Sequence, residues 1–244
     1  GDQFSRLYSS EMIELIESLN LPRYGLINYY DESKATGITK QEQLIIDNLS
    51  KAGKRMMGFC KSTFFKRIDS SGFSFLLTVY RHILRNAVFI YAIDNKLPLP
   101  IGDENNLPEE FLEDEDTNET FFENEDNNDA VCERGQEIIF PTDMKVYMAK
   151  AKEYYDIISH KNNLSWINHK YFKRTLKQQL NKDCVTLIDM LKLCGNWNAD
   201  NDQKLIELHD LLEQKHSKDK VLVFTQYSDT AKYIYRHLKR MGVE

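Results

Sequence analysis

Apolar side chains recur along most of this chain at the three- and four-residue spacing of helix faces, and only near its end do they form a short unbroken run. Ile13, Leu15, Ile16 and Leu19 predict a helix over 12–19, stopped by Pro22. Thr39-Lys40-Gln41-Glu42 is a capping box, in which the Thr39 oxygen and the Glu42 carboxylate each answer an exposed backbone N–H. It predicts a second helix through Leu44, Ile45 and Leu49, running past Gly53 toward Met57. The run 63–102 is the most apolar stretch. Ser70 or Ser71 caps a core helix there, with Phe73, Leu76, Leu77, Tyr80, Leu84, Ala87, Val88 and Tyr91 near the 3.6 period. Arg81 and Arg85, four apart, share one face of it, and Lys66 and Arg67 lie just upstream. Leu97-Pro98-Leu99-Pro100 is expected to end regular structure.

Beyond Pro141 the period predicts helices over 144–160, 164–181 and 183–193, with Gly195 as terminator. On the second of these, Lys170, Lys173, Arg174 and Lys177 are nearly contiguous on one face. A helix over 202–216 places Leu205, Leu208, Leu211 and Leu212 on one side. Val221-Leu222-Val223-Phe224 follows, an apolar run short enough to be a strand buried on both faces of a parallel sheet. Ser228 or Asp229 then caps a last helix expected to bury Ala231, Ile234, Tyr235 and Leu238. One strand is not stable alone, so the expected sheet belongs largely to chain past Glu244. Val221–Phe224 is also expected to pair with a second copy in a crystal. The fold class read here is mainly α, a multi-helix region followed by a single β-α element.

Charge alters this picture. Of 38 acidic and 32 basic side chains, fifteen acids and one base, Arg134, fall in 103–137, so elsewhere 31 bases face 23 acids. A basic body suits a nucleic-acid surface, where released counterions drive association, and equally suits a solvated face. The acidic stretch itself has the composition of a mobile loop or linker, with Phe111, Phe121 and Phe122 as anchors; a sharper reading makes it a nucleic-acid mimic shielding a basic groove. Cys60, Cys132, Cys184 and Cys194 contain no CxxC pair and no histidine at ligand spacing, and neither His160 nor His169 has an acid or cysteine positioned to share a metal. Four reduced thiols, no metal, no membrane span and no signal peptide are expected, hence a soluble cytoplasmic protein.

Asp202-Gln203-Lys204-Leu205 with its leucines, then Lys220-Val-Leu-Val-Phe-Thr225-Gln226-Tyr227-Ser-Asp-Thr-Ala, resembles the entry to the second RecA-like lobe of superfamily 2 helicases of the Swi/Snf-like branch. Phe224-Thr225-Gln226-Tyr227 stands where that family has its motif IV. Residues 64–85 through Leu99-Pro100-Ile101-Gly102 are similar to the helical region that certain bacterial members carry between their lobes. The resemblance divides the chain into a helical region over 1–102, an acidic insertion over 103–140, more helical region over 141–200, and the start of a RecA-like α/β lobe over 201–244.

The resemblance implies ATP and Mg²⁺ for the intact parent, double-stranded DNA as partner with RNA as the alternative, and contact with the rest of the parent's two lobes. This chain contains neither GxxxxGK[ST] nor DExx[HD], so no ATPase activity and no cofactor are expected of it alone. Beginning with Gly1 and ending inside a β-α unit, it is expected to be a piece of a larger protein. Thr225 and Gln226 are implied to touch backbone phosphates, a contact that positions without reading sequence. Arg81, Arg85, Lys173, Arg174 and Lys177 are the candidate phosphate contacts on the helical region. The competing expectation, from a different class, is a helical protein–protein interaction module with an acidic loop.

Overall fold

The computed structural model describes residues 3–101, 132–134, 137–160 and 164–243. The described part is mainly helical. In chain order it contains α1 (Gln3–Leu7), α2 (Ser10–Ser18), α3 (Lys40–Ser70), α4 (Gly72–Asp94), β1 (Pro98–Ile101), β2 (Cys132–Arg134), β3 (Glu137–Ile139), α5 (Met144–Ser159), β4 (Ser165–Asn168), α6 (Thr175–Cys194), β5 (Trp197–Asn198), α7 (Gln203–Asp210) and α8 (Ser228–Arg240). A π-helical turn, Leu211–Lys215, prolongs α7. Among the described residues no helix is long and apolar enough to cross a membrane.

α4 is the axis of the molecule. Its residues Phe75, Leu76, Val79, Ile83, Leu84 and Ala87 are almost wholly excluded from solvent, and α3, α5 and α6 pack around it. A helix apolar on nearly every side is stable only when wrapped in this way. Its start is fixed by Ser71, whose hydroxyl accepts from the Ser74 N–H. One buried row is polar: Ser74, Thr78, His82 and Asn86, each four residues from the last. The row is satisfied rather than stranded. Thr78 donates to the Ser74 carbonyl at 2.9 Å, and Arg23 donates to the Asn86 amide oxygen at 2.8 Å and to His82 Nδ1 at 3.2 Å.

The Thr39 capping box is present in full at the head of α3, which runs to Ser70, well beyond Met57. Gly195 ends α6 with φ of 68°, a left-handed value that glycine adopts without strain. Buried Asp183 on α6 accepts from the backbone N–H groups of Asn20 and Leu21 at 3.0 and 2.7 Å, and so anchors the loop after α2.

Several expectations are corrected. Residues 164–181 do not form one helix: Ser165–Asn168 is strand β4, a short 3₁₀ turn follows, and α6 begins at Thr175 and continues unbroken through Asp183 to Cys194. β4 pairs antiparallel with β1, with Leu99 opposite Ile167 and both side chains fully buried, so the Leu-Pro-Leu-Pro stretch is an edge strand rather than the end of regular structure. Proline is tolerated there because it lacks only an N–H that an edge need not donate. The acidic insertion lies outside the described residues up to 131, with Phe111, Phe121 and Phe122. Its last part forms β2 and β3, and β3 pairs with β5.

Gly72 is closed in by packing. A Cβ built there would lie 2.1 Å from the Trp197 ring and 2.7 Å from Leu7. Gly72→Ala should therefore destabilise the protein by about 1–3 kcal/mol through overpacking, and by less in a Trp197→Phe background, whose smaller ring frees that space. Urea unfolding midpoints at unchanged m-value measure this; equal costs in both backgrounds would contradict the contact.

Candidate nucleic-acid interface

Three segments distant in sequence meet where the C-terminal part of the chain joins the helical body: the end of α3, the first half of α4, and residues 225–233. Asp229, in the first turn of α8, is their focus. It accepts from Arg81 Nη1 at 2.6 Å and Nη2 at 3.1 Å, a two-pronged pairing, and from Arg67 Nη1 at 3.1 Å. Only 4% of the Asp229 side chain and 1% of the Arg67 side chain is exposed. The Tyr227 ring lies 3.9 Å from the Arg67 guanidinium carbon, which puts that cation over an aromatic face.

Hydroxyls complete the joint. Ser70 and Ser74 each lie 2.9 Å from the Thr230 hydroxyl, and Ser70 is 3.4 Å from that of Thr225. A second connection runs through Trp197, whose indole N–H donates to the Tyr233 hydroxyl at 3.1 Å, while that hydroxyl donates to Asp202 at 2.9 Å. Burial raises the Asp202 carboxyl above its ordinary range, against the lowering effect of the bonds from Tyr233, Leu205 and Lys204. Tyr233 also stacks on Phe73 of α4, with ring centroids 4.8 Å apart.

The structure divides the expected phosphate contacts into two groups. Arg81, Arg85 and the Thr225–Gln226 turn lie at the joint. Arg81 is paired there with Asp229, and a guanidinium bonded bidentately to a buried carboxylate is held in place by that carboxylate. Arg85 is half-buried one turn further along α4, Thr225 is half-buried beside Ser70, and Gln226 is exposed. Lys173, Arg174 and Lys177 lie at the head of α6. Lys177 pairs with Asp94 at the far end of α4, thirteen residues from Arg81, so about 20 Å of helix separates the groups. Lys170 stands on the turn before α6, so the four basic residues do not form a stripe on one helix; Lys173 and Arg174 are exposed.

The end of the chain also departs from expectation. Val221–Phe224 forms no ladder among the described residues, and its side chains face solvent, with Leu222 81% and Phe224 89% exposed. The α8 N-cap is Tyr227, without a side-chain cap. α8 buries Asp229, Thr230, Tyr233 and His237, while Ala231 and Tyr235 are exposed and Ile234 and Leu238 half-buried. The buried face is thus rotated from the apolar one, because the clasp on Asp229 and the Tyr233 contacts decide which side meets the body.

Asp229 is the residue that local pattern misses. At the start of a helix it looks like a cap, and its partners Arg67 and Arg81 are 162 and 148 residues away.

Cys60, Cys184 and Cys194 are buried free thiols. Burial pushes the Cys184 and Cys194 thiols up to about 12 each. Among the described residues no three His, Cys, Asp or Glu side chains gather as a metal site. Comparison with protein-family models, curated proteins and solved structures finds no match to this chain.

Asp229→Ala would leave two guanidinium groups without their shared carboxylate and should cost about 3–5 kcal/mol. Amide hydrogen exchange should show α8 losing protection before α4 and α6; uniform loss across all three would argue against a local clasp. For the cysteines, a pKa about four units above pH 8 leaves roughly one thiol in 10⁴ ionised. Cys184 and Cys194 should resist Ellman's reagent at pH 8 until the protein is unfolded, and fast reaction of the native chain would refute their burial.

Proposed function

We propose that this chain is the inter-lobe helical region and first β-α element of a Swi/Snf-like, ATP-driven DNA translocase. It contributes nucleic-acid contact and lobe geometry. ATP hydrolysis, with its Mg²⁺, belongs to motifs elsewhere in the parent, which this sequence does not contain.

The observation that carries the reading is the exposure of Val221–Phe224. Four consecutive apolar side chains between two helices, with Phe224 89% exposed, are costly to leave in water and call for a covering partner. A RecA-like sheet would cover them: the run supplies a central strand, and the outward Ala231 and Tyr235 edge of α8 meets the same sheet. The Thr225–Gln226 turn directly after the run then meets the helical body through the Thr225 hydroxyl, 3.4 Å from that of Ser70, with Gln226 exposed to a phosphate backbone. Lys173 and Arg174 offer a second, exposed contact about 20 Å away along α4.

A labelled DNA duplex titrated with the chain over a salt series tests this. The expected result is binding whose log K falls linearly with log salt, with a slope shallower by about 0.9 for each phosphate contact removed in Lys173→Ala/Arg174→Ala. Absence of binding at low salt would overturn the reading and favour a protein-docking module.

A further inference from the structure

A polar cleft of about 840 Å³ opens beside β5, the last strand of the three-stranded sheet. The register of that sheet builds its floor. Ile138 and Trp197 are opposed and both buried, so Glu137 and Asn198, the adjacent opposed pair, turn their side chains to the other face and line the cleft. α1 contributes Gln3 and Arg6, the chain entering α7 contributes Asn201 and Gln203, and Asn196 stands just before β5. Five of the seven described lining residues are thus carboxamides, each carrying both donors and an acceptor.

Gln3 shows what a carboxamide does here. Its Nε2 donates to the Asn198 carbonyl at 2.9 Å and its Oε1 accepts from the Asn198 N–H at 3.1 Å, so it stands in for a peptide group at the outer edge of β5. The side chains of Asn196, Asn201 and Gln203 have no hydrogen-bond partner among the described residues, and of the Asn198 carboxamide only the oxygen is engaged, by the Asp200 N–H at 2.9 Å. Two opposite charges complete the lining. Arg6 donates through Nη1 to the Cys194 carbonyl at 2.8 Å, which fixes the guanidinium at the end of α6. Glu137 is half-buried and has no cation beside it among the described residues.

We infer that this cleft binds a short extended peptide carrying both a cation and an anion. Peptide groups present one donor and one acceptor each, which the carboxamides answer as Gln3 answers Asn198. The cation pairs with Glu137 and the anion with Arg6. Other ligand classes fit less well. A nucleobase calls for a stacking ring, and no aromatic side chain lines the cleft among the described residues. A neutral polyol satisfies the carboxamides, yet it strips water from Glu137 and Arg6 without pairing either charge. The volume lies within the roughly 300–1,000 Å³ of small-ligand sites. The inference stands apart from the translocase reading, since none of these residues is among its phosphate contacts.

The test is a titration of the ¹⁵N-labelled chain with triglycine, followed by NMR at the Asn198 backbone amide and the side-chain amides of Asn196, Asn201 and Gln203. The expected result is a saturable shift confined to these groups, with a dissociation constant of about 1 mM or tighter. Glu137→Gln should weaken it at least about tenfold, as loss of a charge-assisted pair requires, and Asn201→Ala/Gln203→Ala should weaken it comparably at Asn198. Circular dichroism verifies that both variants are folded. N-acetyl-Lys-Gly-Glu-amide, which carries its charges internally, distinguishes the source: binding as strong as that of triglycine assigns the cleft to a segment within a partner protein, and weaker binding assigns it to free peptides. No saturable shift with either peptide up to about 10 mM would overturn the inference. So would an undiminished affinity in Glu137→Gln, or equal shifts with maltose, which would make the ligand a polyol. None of these outcomes bears on DNA binding.

Discussion

Burial of α4 on almost every side is the constraint from which the rest of the architecture follows. A single apolar stripe needs one neighbour, whereas a helix buried all round needs a ring of them, and α3, α5 and α6 provide it together with parts of β1 and α8. The polar row Ser74, Thr78, His82 and Asn86 makes the arrangement specific. Buried polar groups must be answered, so Arg23 has to reach two of them and Thr230 a third, which fixes how the neighbouring segments are rotated about α4. Apolar packing alone would tolerate several such rotations.

The same logic governs the joint to α8. Burying Arg67 and Asp229 forfeits hydration that their attraction alone recovers poorly, so the joint works through completeness: Arg81 adds a second guanidinium, Tyr227 covers the first, and three hydroxyls bridge the edges. A joint of this kind has one good geometry, and departures from it strand a charge. Residues 225–227 are therefore carried by the helical body as part of it. Gln226, between them, is exposed to solvent.

Much of the helical framework is readable from short windows, because its determinants are local. The Thr39 box, the Ser71 cap, the α4 period and the Gly195 stop each act within one turn, and each is found where the pattern puts it. The failures share a different cause. Trp166 and Ile167 fall within an acceptable helical pattern, and only the partner strand at Pro98–Ile101, some seventy residues earlier, makes them β. Arg81 reads as a surface cation until Asp229 arrives from 148 residues away. α8 has its strongest apolar face on Ala231, Ile234, Tyr235 and Leu238, yet packs by Tyr233 and Asp229, since a buried ion cluster and an aromatic stack outweigh two leaning aliphatic side chains. Of the expected contact residues, Gln226, Lys173 and Arg174 are exposed as such a role requires, and no local signal distinguished them from Arg81.

The two tryptophans occupy places that give the molecule its own optical gauge. Trp166 lies half-buried on β4, edge-on to Tyr155 at 5.5 Å, and reports on the β1–β4 end. Trp197 is 1% exposed, meets the Phe4 ring edge-on, and donates its indole N–H to Tyr233 of α8. Any displacement of α8 from the body removes that hydrogen bond and admits water to the indole. The emission of a single buried chromophore thus follows the attachment of the C-terminal helix, with Trp166 as an internal reference at the opposite end.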